Sequence, residues 1–413
     1  NEPGRMTSLT EFFNKHEDDA LKGITHKNSI IKRNIIAHMA VNGECTLSEL
    51  TKELHISVPT ITKLVQELVD ENIVTDLGKV ETPGGRRPNI FGLANSAIYF
   101  AGVNVGRDNM RFLITDLQNN IIKEENDFTF ELLDRPQCIE RICSGIENFI
   151  ATCGIDRGKI LGLGVCMTGR VNPDTGRSYK YFTSSEQSLR DLLEERVGIR
   201  VLLENDTRAR CYAEYTCGKS KDESNVLYLH MGRGVAIGIV VDGQLYYGKS
   251  GFAGEFGHVI VERNGRECGC GRRGCLETYV SATGIKRTAF ELMAKMNAPS
   301  KLRSIAFDDF DASMISAAAE QGDPIALEAF RYTGEMLGRA LADVVTVTSP
   351  QAIFLFGGLS KAGKLIFEPT QWYMEENMLF VFKNKVKLLP SGIQGKNAAI
   401  LGASALIWQE AAK

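Results

Sequence analysis

The chain contains 413 residues, of which 43% are hydrophobic and 24% charged, and its formal net charge is −3. A chain of this length can bury two or three cores of ordinary size, so several domains are expected. No stretch has the pattern of a signal peptide or the apolar length needed to cross a bilayer, which excludes the secreted and membrane-spanning classes. The nearly neutral charge says little about binding partners.

Cysteine usage indicates the compartment in which the protein works. Seven of the ten cysteines stand singly among apolar neighbours, as in a reduced protein rather than one stapled by disulfides. The seven are Cys45, Cys138, Cys143, Cys153, Cys166, Cys211 and Cys217. We therefore predict a cytoplasmic protein that has no membrane partner.

Residues 25–95 have the pattern of a winged helix-turn-helix domain, and residues 1–24 are predicted to be poorly ordered. Three apolar stripes at helical spacing follow one another, and Thr46 with Glu49 forms a capping box before the second. Ser57 is the predicted N-cap of the third helix, whose polar face suits a reader of the DNA major groove. The candidate DNA contacts on this face are Ser57, Thr60, Thr62, Lys63 and Gln66. The alternative is that these side chains form only a solvated face.

A predicted wing follows the third helix. Two short strands flank a glycine-rich tip that carries Arg86 and Arg87 between two prolines, an arrangement suited to phosphates or a narrow minor groove. Residues 1–98 nevertheless hold eleven Lys and Arg against thirteen Asp and Glu. Binding to a DNA operator should therefore rely on dimerisation and on specific contacts rather than on a large basic surface.

Three cysteines and one histidine form the most specific motif of the chain. Cys268, Cys270 and Cys275 lie in a glycine-rich loop, and His258 precedes them by ten residues. Three thiolates and an imidazole at this spacing can hold one tetrahedral zinc ion, with no open position for hydrolytic catalysis. The alternative is a loop whose thiols bind no metal or form a disulfide.

Beyond residue 98, apolar strands alternate with helices in two similar halves, which predicts an internally duplicated α/β body. Its motifs resemble those of the ROK family of repressors, open reading frames and sugar kinases. The matching motifs begin at Glu204, Gly254, Cys268 and Phe356. The resemblance implies a duplicated actin-like or hexokinase-like (ribonuclease H-like) domain with two lobes. We predict the first lobe at 96–215 and 390–413, and the second lobe, with the zinc site, at 216–389.

The resemblance also implies which residues bind a ligand. In the family the matching residues line a sugar pocket between the lobes, and here they are Asn205, Asp206, Glu255, His258 and Glu277. Carboxylates and an amide can bind neighbouring sugar hydroxyls and discriminate between epimers. His258 would bind a structural zinc ion through one ring nitrogen and approach the sugar through the other.

The phosphate loops of the family's kinases are altered in this chain. Asn104 replaces a carboxylate in the first loop, and Arg107 with Asp108 replaces its Gly-Thr pair. His230 and Arg233 replace both hydroxyl residues of the second loop. Because a base such as Asp206 cannot transfer phosphate without a positioned donor and Mg²⁺, we predict no kinase activity. If Arg107 and Arg233 converge, they could instead bind the phosphate of a sugar phosphate.

These observations predict a sugar-responsive transcriptional regulator, most simply a repressor, that works as a homodimer or homotetramer. Sugar binding would close the two lobes and change the spacing of the winged helices through the dimer interface. The competing functions are a sugar kinase with a DNA-binding appendage and a regulator controlled by a protein partner. The effector sugar and the operator sequence are not readable from the chain.

Overall fold

A computed structural model describes residues 24–79, 88–218, 223–393 and 395–411 of the chain. These residues form two compact units. Unit 1 contains the described residues through Ala209 together with those from Ala399 onward, and unit 2 runs from Arg210 to Ala398. Across the described ranges, no helix combines the length and the apolar character that crossing a membrane requires.

The N-terminal part of unit 1 has the predicted helix-turn-helix arrangement. Its elements are α1 (Ile24–Asn42), β1 (Cys45–Thr46), α2 (Leu47–Leu54), α3 (Val58–Asp70), β2 (Val74–Lys79) and β3 (Asn89–Leu93). The predicted capping box is present, because Thr46 Oγ1 accepts from the Glu49 amide and the Glu49 carboxylate accepts from the Thr46 amide. The strands pair in the order β1-β3-β2, as a wing requires. Arg86 and Arg87, at the predicted tip, lie outside the described residues.

The rest of unit 1 is built on a five-stranded sheet. Its elements are β4 (Tyr99–Val105), β5 (Met110–Asp116), β6 (Ile121–Asp127), α4 (Pro136–Thr152), β7 (Ile160–Met167), β8 (Val171–Asn172), β9 (Arg177–Ser178), α5 (Leu189–Val197), β10 (Val201–Asn205) and the start of α6 (Asp206–Cys217), which continues into unit 2. The strand order is β10-β7-β4-β5-β6, and the three strands β10, β7 and β4 are parallel. Their carboxyl ends therefore lie at one edge of the sheet. One face packs against α4 and α5 in an apolar core.

Unit 2 repeats the plan with a second five-stranded sheet. Its elements are β11 (Val226–Met231), β12 (Val235–Val241), β13 (Gln244–Leu245), α7 (Glu277–Val280), α8 (Ala282–Lys295), α9 (Ala312–Glu320), α10 (Pro324–Thr348), β14 (Ala352–Phe356), α11 (Lys364–Asn377) and β15 (Lys387–Pro390). The strand order is β13-β12-β11-β14-β15. The predicted tight turn at Asp242 and Gly243 is present, with φ values of 48° and 76°.

The C-terminal helix α12 (Ala398–Ala411) lies on the other face of the unit 1 sheet. Three sheet residues beneath it are glycines, and a Cβ on any of them would clash with the helix. A Cβ on Gly102 would lie 2.0 Å from Ile400 Cγ2, and one on Gly164 would lie 2.5 Å from Ala403 Cβ. The missing side chains let the helix backbone approach the sheet closely.

One apolar core joins the helix-turn-helix region to the sheet and to α12. It contains residues of α1, α2 and α3 together with Phe100, Leu161 and Ile407, and Trp408 packs against it. The rings of Phe100 and Trp408 meet edge to face, with centroids 6.3 Å apart. The helix-turn-helix region therefore packs against the rest of unit 1 through a shared apolar core and is not connected to it by a linker alone.

We expect Gly164→Ala to destabilise the protein by about 1–3 kcal/mol, because its methyl group would overpack the contact with α12. The free energy of unfolding in urea measures this loss. Ala403→Gly removes the atom that the new methyl group would meet, at a helix-propensity cost of about 1 kcal/mol. The double variant should lose less stability than the sum of the two single variants. Strict additivity would contradict the close approach.

Candidate functional site

The three cysteines and the histidine predicted to bind a metal lie together in unit 2. The ligand atoms of His258, Cys268, Cys270 and Cys275 all lie within 4.8 Å of one another. Cys268 Sγ is 3.7 Å from His258 Nδ1, and Cys270 Sγ is 3.7 Å from Cys275 Sγ. The arrangement of the four residues can hold one metal ion.

Close backbone contacts shape the loop that carries the thiols. Gly271 and Gly274 have φ values of 86° and 76°, in the region that favours glycine. A Cβ on Gly274 would lie 1.7 Å from the Glu262 carbonyl oxygen, so no other residue fits where the two chain segments cross. An isolated bridge between Ile260 and Cys275 holds the segments together. The turn thus brings Cys275 back towards His258.

Two of the thiols differ in their readiness to ionise. Burial opposes the ionisation of Cys270, but hydrogen bonds from the backbone and side chain of Arg272 lower its pKa to about 6. Burial raises the pKa of Cys275 to about 12, and its hydrogen bonds to the other two cysteines act in the same direction. A bound cation would offset this cost, since metals bind cysteine as the thiolate.

The second ring nitrogen of His258 faces away from the thiols. His258 Nε2 lies 3.8 Å from Glu255 Oε2, at the end of a single 3₁₀ turn. Arg272 also donates to the His258 carbonyl oxygen at 2.8 Å. The two ring nitrogens therefore have different neighbours, Cys268 for Nδ1 and Glu255 for Nε2, and the dual role expected from the sequence stays a prediction.

Glu277, a predicted sugar ligand, already contacts the glycine loop between β11 and β12. Its Oε2 accepts a hydrogen bond from the Val235 amide at 2.9 Å. Glu277 begins α7 directly after Cys275 and Leu276. The loop that carries Cys268, Cys270 and Cys275, called the metal loop below, is therefore connected to the glycine loop through Glu277. Glu255, His258 and Glu277 are the three predicted sugar ligands that belong to unit 2.

The His230 imidazole lies over the glycine loop. A Cβ on Gly232 would lie 2.9 Å from His230 Cε1, and one on Gly357 would lie 2.9 Å from His230 Cδ2. The ring also packs on Phe356, with centroids 5.1 Å apart. Burial, with a contribution from the charge of Arg210, lowers the pKa of His230 to about 4. The ring is therefore neutral at physiological pH.

Asn205 and Asp206, the other two predicted sugar ligands, lie in unit 1 where β10 meets α6. Asn205 Oδ1 accepts from the amides of Thr207 and Arg208, as a helix N-cap does. Its Nδ2 donates to the Gly169 carbonyl oxygen at 2.8 Å and lies 3.4 Å from Asp206 Oδ1. Asn205 thus holds the start of α6, which orients Asp206.

A buried ion pair that the sequence reasoning missed supports this corner. Arg208 donates to Glu204 at 2.7 Å, and the two side chains are 5% and 0% exposed. Glu204 Oε1 also accepts from the Asn205 amide at 2.6 Å. The separation of four residues was visible in the sequence, but the burial that gives the pair its importance was not.

The candidate DNA contacts of α3 lie mainly on its exposed side. Ser57 and Thr60 share a hydrogen bond of 2.9 Å between their hydroxyls, and Thr62 donates to the Val58 carbonyl oxygen. The Lys63 side chain is 69% exposed, and Gln66 donates to Asp70 at 3.0 Å. The structure brings all five candidates onto one short helix and its cap.

A buried lysine, also missed from the sequence, holds α3 in place. Lys32 Nζ of α1 lies 2.9 Å from Glu67 and 3.0 Å from Glu71, and only 7% of its side chain is exposed. A buried ammonium is stable only when it is paired, so both carboxylates are required near it. These ion pairs join α1 to the C-terminal end of α3. They thereby hold the whole helix, including its N-terminal part with the exposed DNA-contact candidates.

Arg266 fastens the metal loop to the helices of unit 2. It donates to the carbonyl oxygens of Thr278 and Gly284 at 2.7 and 3.1 Å and pairs with Glu291 at 2.7 Å. Its guanidinium lies 4.5 Å from the centre of the Tyr279 ring. Nothing local in the sequence marks this residue, because its partners lie 12 to 25 residues away.

Comparison with known proteins identifies the class of protein that combines these features. Residues 100–410 match the ROK family, and residues 29–75 match a winged helix-turn-helix DNA-binding domain. The ROK match covers most of the chain. The chain therefore belongs to the ROK family, and both the predicted family and the predicted fold class are confirmed.

The relatives that share both domains are transcriptional regulators. The chain is 26% identical over 387 residues to a xylose repressor of Bacillus spizizenii, covering 93% of this chain and 96% of that protein. It is also 26% identical over 369 residues to the DNA-binding transcriptional dual regulator NagC of Escherichia coli, covering 88% and 89%. A crystal structure of a ROK family transcriptional regulator, a homolog of the E. coli MLC protein, superposes with a TM-score of 0.80 at 25% identity, covering 94% and 97%.

We expect Arg266→Ala to weaken retention of a bound metal by about tenfold, because residues that support metal ligands typically contribute that much. The rate of metal transfer to a chelator measures the effect. Arg263→Ala is the matched control, since Arg263 lies in the same loop and is exposed. Equal rates for the two variants would contradict the supporting role of Arg266.

Proposed function

We propose that the protein is a sugar-responsive, DNA-binding transcriptional repressor. The observation that carries this proposal is the apolar core shared by the helix-turn-helix region, the unit 1 sheet and α12. A domain packed in this way must follow any shift of the sheet or of α12. A separately tethered DNA-binding domain would not.

A continuous set of contacts in unit 1 connects the ligand residues to that core. Asp206 begins α6, and Ala209 of α6 packs with Cys166, Ala399 and Ala403 in a small buried cluster. Two turns further along α12, Ile407 belongs to the core of the helix-turn-helix region. Displacing α6 on sugar binding would therefore move α12 and, with it, the DNA-reading helix.

Sugar binding is assigned to Asn205, Asp206, Glu255, His258 and Glu277, as in the sequence-based prediction. Asp206 is the strongest candidate in unit 1, because the side-chain amide of Asn205 is already used to cap α6. A carboxylate can accept from two vicinal hydroxyls, which gives both orientation and discrimination between epimers. The names of the relatives, which include a xylose repressor, support a sugar effector.

The kinase alternative is disfavoured by the glycine loop of unit 2. Loops that bind polyphosphate use small residues with accessible amides. Here the His230 ring occupies the space over Gly232 and Gly357, and Arg233 lies between the two loop glycines. In unit 1, Asn104 stands where the kinase pattern has a carboxylate. We therefore propose that the protein does not transfer phosphate.

We propose that DNA binding uses Ser57, Thr60, Thr62, Lys63 and Gln66 together with Arg86 and Arg87. A homodimer or homotetramer would present two such helices to half-sites separated by about one helical turn of DNA or a multiple of it. An operator DNA partner, together with scattered cysteines that form no disulfide among the described residues, supports a cytoplasmic location.

We further propose that the metal is zinc and that its role is structural. In a tetrahedral site with Zn–S bonds of about 2.3 Å, neighbouring ligand atoms lie about 3.7 Å apart. Two of the six distances between ligand atoms are 3.7 Å and so are of this size, and all four atoms lie within 4.8 Å of one another. Three thiolates and one imidazole favour zinc over harder cations and leave no open coordination position.

The effector sugar should release the protein from its operator in a mobility-shift assay. An operator fragment can be selected from a random-sequence pool by the protein itself, and the sugars can then be screened in parallel. We expect Asp206→Asn to require about 10–100-fold more sugar for release, the range typical of a hydrogen bond to a charged group. Its operator affinity without sugar should be unchanged.

Asp174→Asn is the matched control, because Asp174 is exposed in unit 1. The same sugars should also be tested for ADP production from ATP and Mg²⁺. Sugar-dependent ADP release would establish the kinase function instead. Release unaffected by every sugar in the screen would contradict the repressor mechanism and favour control by a protein partner.

Elemental analysis should find about one zinc ion per chain, because four ligands complete one tetrahedral site. Cys275→Ser should lose the metal, whereas Cys217→Ser should retain it, since Cys217 lies outside the cluster. A protein mass that is lower than expected by two hydrogen atoms, and that returns to the expected value after reduction, would indicate a disulfide. This result would contradict the metal site.

A further inference from the structure

A pair of polar side chains on the unit 1 sheet has no part in the function proposed so far. Asn104 of β4 and Arg111 of β5 are directly opposed in the antiparallel pairing, so their side chains lie on the same face. They are the next-to-last pair before the turn that joins the two strands. Gly102, on the same face, lies beneath α12.

One polar atom of the pair is buried without the partner that burial normally requires. Asn104 Oδ1 has no hydrogen-bond partner in the described part of the chain, although the Asn104 residue as a whole is only half-buried. Arg111, directly opposite, is 8% exposed. Native proteins rarely leave a buried amide oxygen unpaired, and such a group beside a largely buried arginine calls for an explanation.

The neighbours of the pair favour a negatively charged ligand. Arg111 is flanked in the sheet by two neutral amides, Asn104 on β4 and Asn126 on β6. On the other side of Asn104 lies Cys166 of β7, whose thiol donates to the Ala399 carbonyl oxygen at 3.2 Å. The hydrogen bond from Cys166 holds the first turn of α12 near Asn104 and Arg111. The N-terminal end of a helix carries a partial positive charge, which favours an anion there.

The same edge of the sheet carries the proposed sugar ligand Asp206. Asn104, Cys166 and Glu204 are in register across β4, β7 and β10. In the strand order β10-β7-β4-β5, β4 is two strand spacings of about 4.8 Å from β10 and β5 is three, so the backbones of Asn104 and Arg111 lie about 10 and about 14 Å from that of Glu204, and the long Arg111 side chain can span part of this distance. A monosaccharide with an anionic substituent can extend over such a distance.

We propose that Arg111 and Asn104 bind the anionic group of the effector, which is therefore a charged carbohydrate, either a sugar phosphate or a sugar acid. The guanidinium of Arg111 pairs with the anion, and Asn104 Oδ1 accepts from a hydroxyl beside it. This inference rests on the proposed sugar response and specifies the chemical class of the sugar. Arg107 and Arg233, the arginines singled out in the sequence, are not needed for it.

Anion binding by the full chain tests the site without DNA or a neutral sugar. Inorganic phosphate and acetate represent the two anionic groups, and each is titrated at constant ionic strength against chloride by calorimetry. We expect the wild type to bind at least one of the two anions. Arg111→Gln should bind that anion with an affinity reduced by at least about tenfold. The preferred anion then distinguishes a sugar phosphate from a sugar acid.

Two further variants separate binding from folding. Asn104→Asp keeps the guanidinium but adds a negative charge, so it should lose anion binding to a similar degree. Arg135→Gln is the matched control, because Arg135 is an exposed arginine of unit 1 and should bind as the wild type does. Anion binding equal in Arg111→Gln and the wild type, or absent from the wild type, would overturn the proposal. Either result would leave operator release by a neutral sugar unaffected.

Discussion

The close packing of α12 on a glycine-lined sheet is the contact on which the rest of unit 1 depends. Because Gly102, Gly162 and Gly164 have no side chains, the helix lies directly on the strand backbones. The end of α12 is thereby available to the helix-turn-helix region, which buries Ile407 in its own core. The beginning of the same helix contacts α6 through Ala399 and Ala403. A single helix therefore contacts both the start of α6, where ligand binding is proposed, and the helix-turn-helix region.

In unit 2, glycines likewise allow close backbone contacts in and near the metal loop. Gly254 and Gly274 each stand where a Cβ would meet a carbonyl oxygen at less than 2 Å, so backbone segments cross there without a gap. These crossings and Arg266 hold the four candidate ligands, and Phe256 and Leu276 beside them belong to the apolar core of unit 2. Glu277 then connects this loop to the amide of Val235. A metal ion bound by the four residues would thus support the position of a proposed ligand residue.

The features predicted correctly from the sequence are those that depend on near neighbours. The capping box of Thr46 and Glu49, the alternation of strands and helices and the clustering of His258 with the three cysteines all follow from local patterns, and each is present in the structure. Lys32 and Arg266 were missed. Their importance comes from burial and from partners far away in the chain, which composition and periodicity do not record.

The altered loops of the two units have a common consequence. In unit 2, a neutral imidazole lies over glycines that could otherwise approach a phosphate chain. In unit 1, an amide and a buried arginine stand near the position of a carboxylate that would help to hold Mg²⁺. A fixed guanidinium can bind one anionic group of a ligand, but it cannot bridge two phosphates as a metal ion does. A site changed in this way would retain recognition of the proposed charged carbohydrate and would not transfer phosphate. Under the proposed function, binding of that ligand would act on the DNA-reading region through the packing of α6 and α12.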